Sequence, residues 1–192
     1  MQAAIESQFT DMVQGADQRK VGVVTFNGEV QIIGDGTQDP EIIAGDKLMN
    51  FEYLEENGKK QGKDAMQNLI KETKPFLSEK LMKIEETGPT ALGPAALTAI
   101  AMASQGAPGS TVVLCTDGLA NVGLGAWDEV DTPEEAAKVE EFYERLGVLA
   151  KTKGVTINVI SIAGDECNLD SLEKMAEATG GEVERVKPTT LT

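Results

Sequence analysis

A carboxylate placed where an apolar strand runs out is a candidate for chemistry. In Val-Val-Leu-Cys-Thr-Asp-Gly (112–118), the side chains of Val112, Val113 and Leu114 demand burial, and Asp117 follows where the apolar run ends. A second oxygen donor precedes it in the chain. Thr90, in Thr-Gly-Pro-Thr-Ala-Leu-Gly-Pro (87–94), stands just before an apolar helix that leads directly into that strand. A hydroxyl and a carboxylate brought to one sheet edge are hard oxygen donors, the kind magnesium takes in near-octahedral geometry while keeping some water. Each residue also has a plainer use. Asp followed by Gly begins turns, and a threonine hydroxyl caps a helix entry.

Other chemistries are narrower. The chain has no histidine, which removes Ser-His-Asp and Cys-His nucleophile pairs and His-ligated zinc. Its two cysteines, Cys115 and Cys167, make no disulfide framework, and Cys115 lies in the apolar strand as a small hydrophobe. The segment Gly-Asp-Gly-Thr-Gln-Asp-Pro-Glu (34–41) alternates acids in the manner of a calcium loop. It lacks the later bidentate Glu and reads as a polar turn. Asp165, at the same strand edge, is either a further acid lining that surface or a solvated loop acid, the second being the plainer reading. Trp127, the only tryptophan, is either an exposed recognition aromatic or the anchor of its own loop.

The elements that must position Thr90 and Asp117 follow from the pattern. Ile5, Phe9 and Met12 recur at helical spacing, so a helix is under way from the first residue. Val-Gly-Val-Val-Thr-Phe (21–26), then Asn27-Gly28, then Glu-Val-Gln-Ile-Ile-Gly (29–34) predict an antiparallel hairpin with a type I′ turn. Residues 34–87 form a polar, helix-rich elaboration with Pro75 at a boundary or kink. Residues 92–106 are apolar nearly all round and predict a buried helix with Pro94 in its first turn. The run 110–116 predicts a parallel strand covered on both faces. Thr132-Pro-Glu-Glu135 is a capping box opening a helix to about Lys153. A buried strand at 155–163, a helix at 168–181 and a short strand at 182–186 complete the pattern. Strands alternating with helices mean an α/β fold, whose ligands sit at the carboxyl ends of the strands.

The totals set bounds. A chain of 192 residues with 41% hydrophobic and 26% charged residues suits one domain spanning 1–192 with a sizeable core. The net charge of −15 argues against nucleic acid and anionic membranes as partners. No signal segment and no membrane-length apolar run occur, which points to a cytoplasmic protein.

The stretches 21–34, 87–103, 110–123, 154–164 and 172–186 together resemble a von Willebrand factor A domain. That resemblance implies a three-layer Rossmann-like α/β fold: a mostly parallel sheet with one antiparallel edge hairpin and helices on both faces. It implies a non-catalytic interaction domain whose Mg2+ adhesion site is completed by an Asp or Glu carboxylate from a protein partner. Thr90 would be a direct hydroxyl ligand and Asp117 a water-mediated one, with Gly118, Asn121 and Trp127 shaping or lining the binding loop.

The match has a gap. The family's Asp-x-Ser-x-Ser is nowhere in the chain, and neither is the apolar central strand that carries it. The expectation is therefore a site incomplete in this chain, with Mg2+ held weakly or not at all. The unfilled strand position would be closed by pairing 21–26 with 110–116, or filled by self-association. Two alternatives stand beside this reading. One is a metal-independent scaffold. The other is phosphotransfer of the haloacid-dehalogenase type, to which Asp117-Gly118 is similar, although Leu119 occupies the place of that chemistry's second acid and no glycine-rich phosphate loop with a lysine is present.

Overall fold

The computed structural model describes residues 2–84, 88–117, 119–128, 130–162 and 169–186. In chain order the elements are α1 (Gln2–Gly15), β1 (Val23–Phe26), β2 (Val30–Gly34), β3 (Glu41–Ile43), a 3-10 turn (Gly45–Met49), α2 (Phe51–Asp64), α3 (Ile70–Leu81), α4 (Leu92–Ala103), β4 (Thr111–Thr116), α5 (Pro133–Thr152), β5 (Thr156–Ile162), α6 (Leu169–Ala178) and β6 (Val183–Val186). The local signals behave as chemistry requires. The Thr132 hydroxyl accepts from the Glu135 N–H at 3.2 Å, and the Glu135 carboxylate accepts from the Thr132 N–H at 3.0 Å. That reciprocal pair satisfies donors that the first turn of α5 leaves unbonded.

The strands form two sheets rather than one. β1, β2 and β3 make an antiparallel sheet in that order, and β4, β5 and β6 make a parallel one. β4 pairs with β5 in continuous register from Thr111–Thr156 to Thr116–Ser161. The expected single, mostly parallel sheet is corrected on this point. So is the closure of 21–26 onto 110–116, since β1 pairs with β2 and not with β4.

Helix α4 lies at the centre of the molecule, which explains its apolar composition. Leu92, Leu97 and Ile100 pack with Val30, Ile32 and Ile43 of the antiparallel sheet and with Val112, Leu114, Ile157 and Val159 of the parallel one. Leu146 of α5 and Met175 of α6 complete that core. A second cluster (Phe9, Ile33, Ile70, Leu77 and Leu81) joins α1 and α3 to the antiparallel sheet. The segment 34–87 is therefore no surface ornament, because Leu54, Ile70 and Leu77 are fully buried. Helix α2 rides close on α4 through glycine. A Cβ at Gly58 would lie 2.7 Å from the Thr98 carbonyl oxygen, and one at Gly62 would lie 2.5 Å from that of Met102.

Two expectations fail for reasons of packing. β4 is covered on one face only: Val112 and Leu114 are buried while Thr111 and Val113 are exposed. The hairpin after β1 is not a type I′ turn. Phe26 pairs with Val30 across a longer loop, in which the Glu29 N–H donates to Asn27 Oδ1 at 3.0 Å. Gly28 is accordingly absent from the glycines with positive φ.

The polar turn after β2 hides a structural acid. Asp35 is 1% exposed. Its Oδ1 accepts from the Thr37 hydroxyl at 2.6 Å and the Thr37 N–H at 3.1 Å. Its Oδ2 accepts from the Asn68 side chain at 2.9 Å and the Asn68 N–H at 3.2 Å. Burial opposes ionisation, but the bonds from Thr37 and Asn68 outweigh it and hold the carboxyl below its ordinary range. The acid fastens the end of β2 to the link between α2 and α3.

Candidate loop site at the carboxyl end of strand β4

Thr90 and Asn121 meet directly. The Thr90 N–H donates to Asn121 Oδ1 at 2.6 Å, and the Thr90 carbonyl accepts from the N–H groups of Asn121 at 3.1 Å and Val122 at 3.3 Å. The adjacent Ala91 N–H donates to the Asn27 carbonyl at 2.7 Å, which ties the same loop to the end of β1. Residues 119–128 are clamped at further points. The Leu124 N–H reaches the Leu48 carbonyl at 3.1 Å, the Trp127 N–H reaches that of Ala120 at 2.7 Å, and the Tyr143 hydroxyl donates to that of Gly125 at 2.8 Å. Gly93 is required here, since a Cβ would lie 2.0 Å from the Leu124 carbonyl oxygen. The result is a fixed edge, not a slack loop.

On that edge Asp117 is exposed at the end of β4, and Thr90 is half-buried. Trp127 is half-buried and packs against the main core. Gly118 lies outside the described residues. The structure thus joins Thr90 to Asn121 and sets Asp117 at the head of the same loop. Sequence reasoning missed the Leu48, Asn27 and Tyr143 anchors, which lie far from the loop in the chain and carry no local signal.

Thr90 and Asp117 supply hard oxygens, but a hydroxyl and a single carboxylate fall well short of the roughly six ligands magnesium requires, even with retained water. Among the described residues, no group of three or more His, Cys, Asp or Glu side chains is placed to hold a metal ion. No helix among them is long and apolar enough to cross a membrane.

A layered α/β arrangement with mixed strand directions is shared by many functions, so architecture alone selects none. The comparisons decide further. No family model matches the chain. It is 38% identical over 172 residues to the Dictyostelium discoideum protein named circularly permutated Ras protein 1, a match covering 88% of this chain. The chain spans only 20% of that relative's length. The crystal structure of the human COPII-coat protein Sec24c superposes with a TM-score of 0.68 at 12% identity, over 97% of this chain and 28% of that one, which shows likeness of fold alone.

These findings correct the von Willebrand factor A reading drawn from sequence. The curated relative bears the name of a Ras protein, and among the described residues no group of three or more His, Cys, Asp or Glu side chains lends support to an adhesion site. The expectation of a non-catalytic interaction domain falls with it. The stretches behind that reading specify apolar strands, a helix entry and a strand tip, features that many α/β chains of different function share.

Proposed function

We propose that this chain is one part of a GTP-hydrolysing protein of the Ras type, and that the nucleotide chemistry belongs to the whole protein rather than to residues 1–192 alone. The 38% identity over 172 residues to the Dictyostelium Ras protein carries the reading, and the chain's span of a fifth of that relative sets its scope.

The division of labour follows from phosphate chemistry. A P-loop needs two glycines with four residues between them, followed by Lys and a hydroxyl residue, so that backbone N–H groups and a helix N-terminus face the phosphates. The nearest string here is Gly58-Lys-Lys-Gln-Gly62-Lys63-Asp64, with three intervening residues and a carboxylate in the hydroxyl position. It lies within α2, where both glycines serve contact with α4. Residues 1–192 contribute instead a rigid edge bearing Thr90, Asp117 and Asn121, available to the remainder of the protein.

The test is hydrolysis by the native polypeptide. Captured from its source with an antibody raised against residues 1–192, it should release phosphate from GTP above a mock capture, and no release would overturn the reading. Residues 1–192 alone should show no saturable binding of a fluorescent GTP analogue. Saturation in the micromolar range would move the nucleotide site into this chain.

A further inference from the structure

An asparagine followed by glycine carries its own chemistry. The backbone nitrogen of the next residue attacks the side-chain Cγ, and glycine, lacking a Cβ, hinders that approach least. The chain has two such pairs, Asn27-Gly28 and Asn57-Gly58. Their places in the fold separate them.

Asn57 lies inside α2, where the Gly58 N–H is tied into the helical ladder. Its Nδ2 donates to Glu41 Oε1 at 2.9 Å, and Gly58 is buried against Thr98 and Ala101 of α4. Asn27 stands half-buried in the loop between β1 and β2. Its Oδ1 accepts from the Glu29 N–H at 3.0 Å, which draws electron density from Cγ and holds the side chain against its own main chain. Among the described residues, Asn27 Nδ2 has no acceptor and the Gly28 N–H has no partner. The attacking nitrogen and the leaving group are both free.

We infer that Asn27 is a site of spontaneous deamidation, and that its isoaspartyl product loosens the hold of β1 on the Thr90 edge. The Gly28 nitrogen bonds to Asn27 Cγ and gives up its proton, while the Cγ–Nδ2 bond breaks and Nδ2 leaves as ammonia. Water then opens the cyclic imide at either carbonyl, giving aspartate or isoaspartate. Nothing is oxidised or reduced: water enters and ammonia departs. In isoaspartate the main chain runs through Cβ and Cγ, which lengthens the loop between the paired residues Phe26 and Val30. The oxygen that accepts from the Ala91 N–H at 2.7 Å becomes part of a free carboxylate outside the main chain.

The test ages the folded chain in mildly alkaline buffer and follows both amides by peptide mass spectrometry. Asn27 should convert at least about tenfold faster than Asn57, which must wait for α2 to open locally. In urea the two should convert at similar rates. Gly28→Ala should slow Asn27 and leave the fold intact, because φ is not positive there and the nearest atom lies 3.5 Å from the added Cβ. In the purified isoaspartyl form, amide exchange at Ala91 should speed up at least about tenfold. Equal rates in the folded chain, a slower Asn57 that persists in urea, no effect of Gly28→Ala, or unchanged exchange at Ala91 overturns the inference.

Discussion

Thr90 and Asn121 hold each other in both directions: the Thr90 N–H donates to Asn121 Oδ1 at 2.6 Å, and the Asn121 N–H donates to the Thr90 carbonyl at 3.1 Å. This pair locks the entry of α4 to the loop after β4. It converts two separate chain segments into one edge, whatever that edge contacts.

Removing the side-chain half of the clamp has a definite cost. Asn121→Ala leaves the Thr90 N–H without its acceptor, and a hydrogen bond of this kind contributes about 0.5–1.5 kcal/mol. Urea unfolding should show a loss of that size. Asn121→Asp, which keeps an acceptor oxygen, should recover most of it. Asp117→Ala, at an exposed position on the same loop, should stay within about 0.5 kcal/mol of the parent. An Asp117→Ala loss as large as that of Asn121→Ala would show that the carboxylate, not the amide, organises the edge.

Magnesium provides a separate check on Thr90 and Asp117. The pair offers too few oxygens to strip a reluctant hydration shell. Calorimetric titration of the chain with magnesium, then manganese, should give no saturation at submillimolar metal. Tight binding abolished by Asp117→Ala would mean that further ligands converge on this edge.

Local rules carried much of the reading from sequence. The Thr132–Glu135 box, the apolar run of β4, the buried helix α4 and the strand β5 were legible because each is specified by neighbours in the chain. What failed is non-local. The split into two sheets depends on which strands find partners across the molecule. The role of Asp35 depends on Asn68, 33 residues away. At Asn27-Gly28 the dipeptide promised a two-residue turn, but the Asn27 side chain captured the Glu29 N–H and set a longer loop. The family assignment failed because the five matched stretches specify strands, a helix entry and a strand tip, which many α/β chains share, and not one family. Thr90 and Asn121 were legible as parts of one edge, and the structure bonds them to each other, whereas the anchors at Leu48 and Tyr143 carried no local signal.

Gly58 tests whether the glycines of α2 serve packing. In an isolated helix, Gly→Ala gains about 1 kcal/mol from propensity. Here the added methyl would lie 2.7 Å from both the Thr98 carbonyl oxygen and the Ala101 Cβ. Overpacking of this kind costs about 1–3 kcal/mol, so Gly58→Ala should be neutral to destabilising in thermal melts. Gly58→Leu should be worse still. A clear stabilisation by Gly58→Ala would show that α2 is free to move away from α4.

The buried carboxylate of Asp35 predicts a pH dependence with a fixed sign. The bonds from Thr37 and Asn68 stabilise the ionised form in the folded protein against the opposing effect of burial, so its folded pKa lies below that of the unfolded chain. A depressed pKa contributes stability that is fully present above the unfolded value of about 3.9 and is lost as pH falls through the folded value. Asp35→Asn keeps the shape but replaces one acceptor oxygen with an NH2 group. That donor then faces the donors of Thr37 or Asn68. At pH 7 the variant should be less stable by about 1.5–3 kcal/mol, the range for hydrogen bonds to a charged group. Other acids titrate in the same window, so the informative quantity is the difference between parent and variant across a urea series from pH 7 to pH 3. That difference should hold steady down to about pH 5 and shrink below it, as the parent's Asp35 takes up a proton. A gap that stays constant to pH 3 would mean that Asp35 remains ionised throughout or contributes nothing through its charge, and the electrostatic account of this fastening would be wrong.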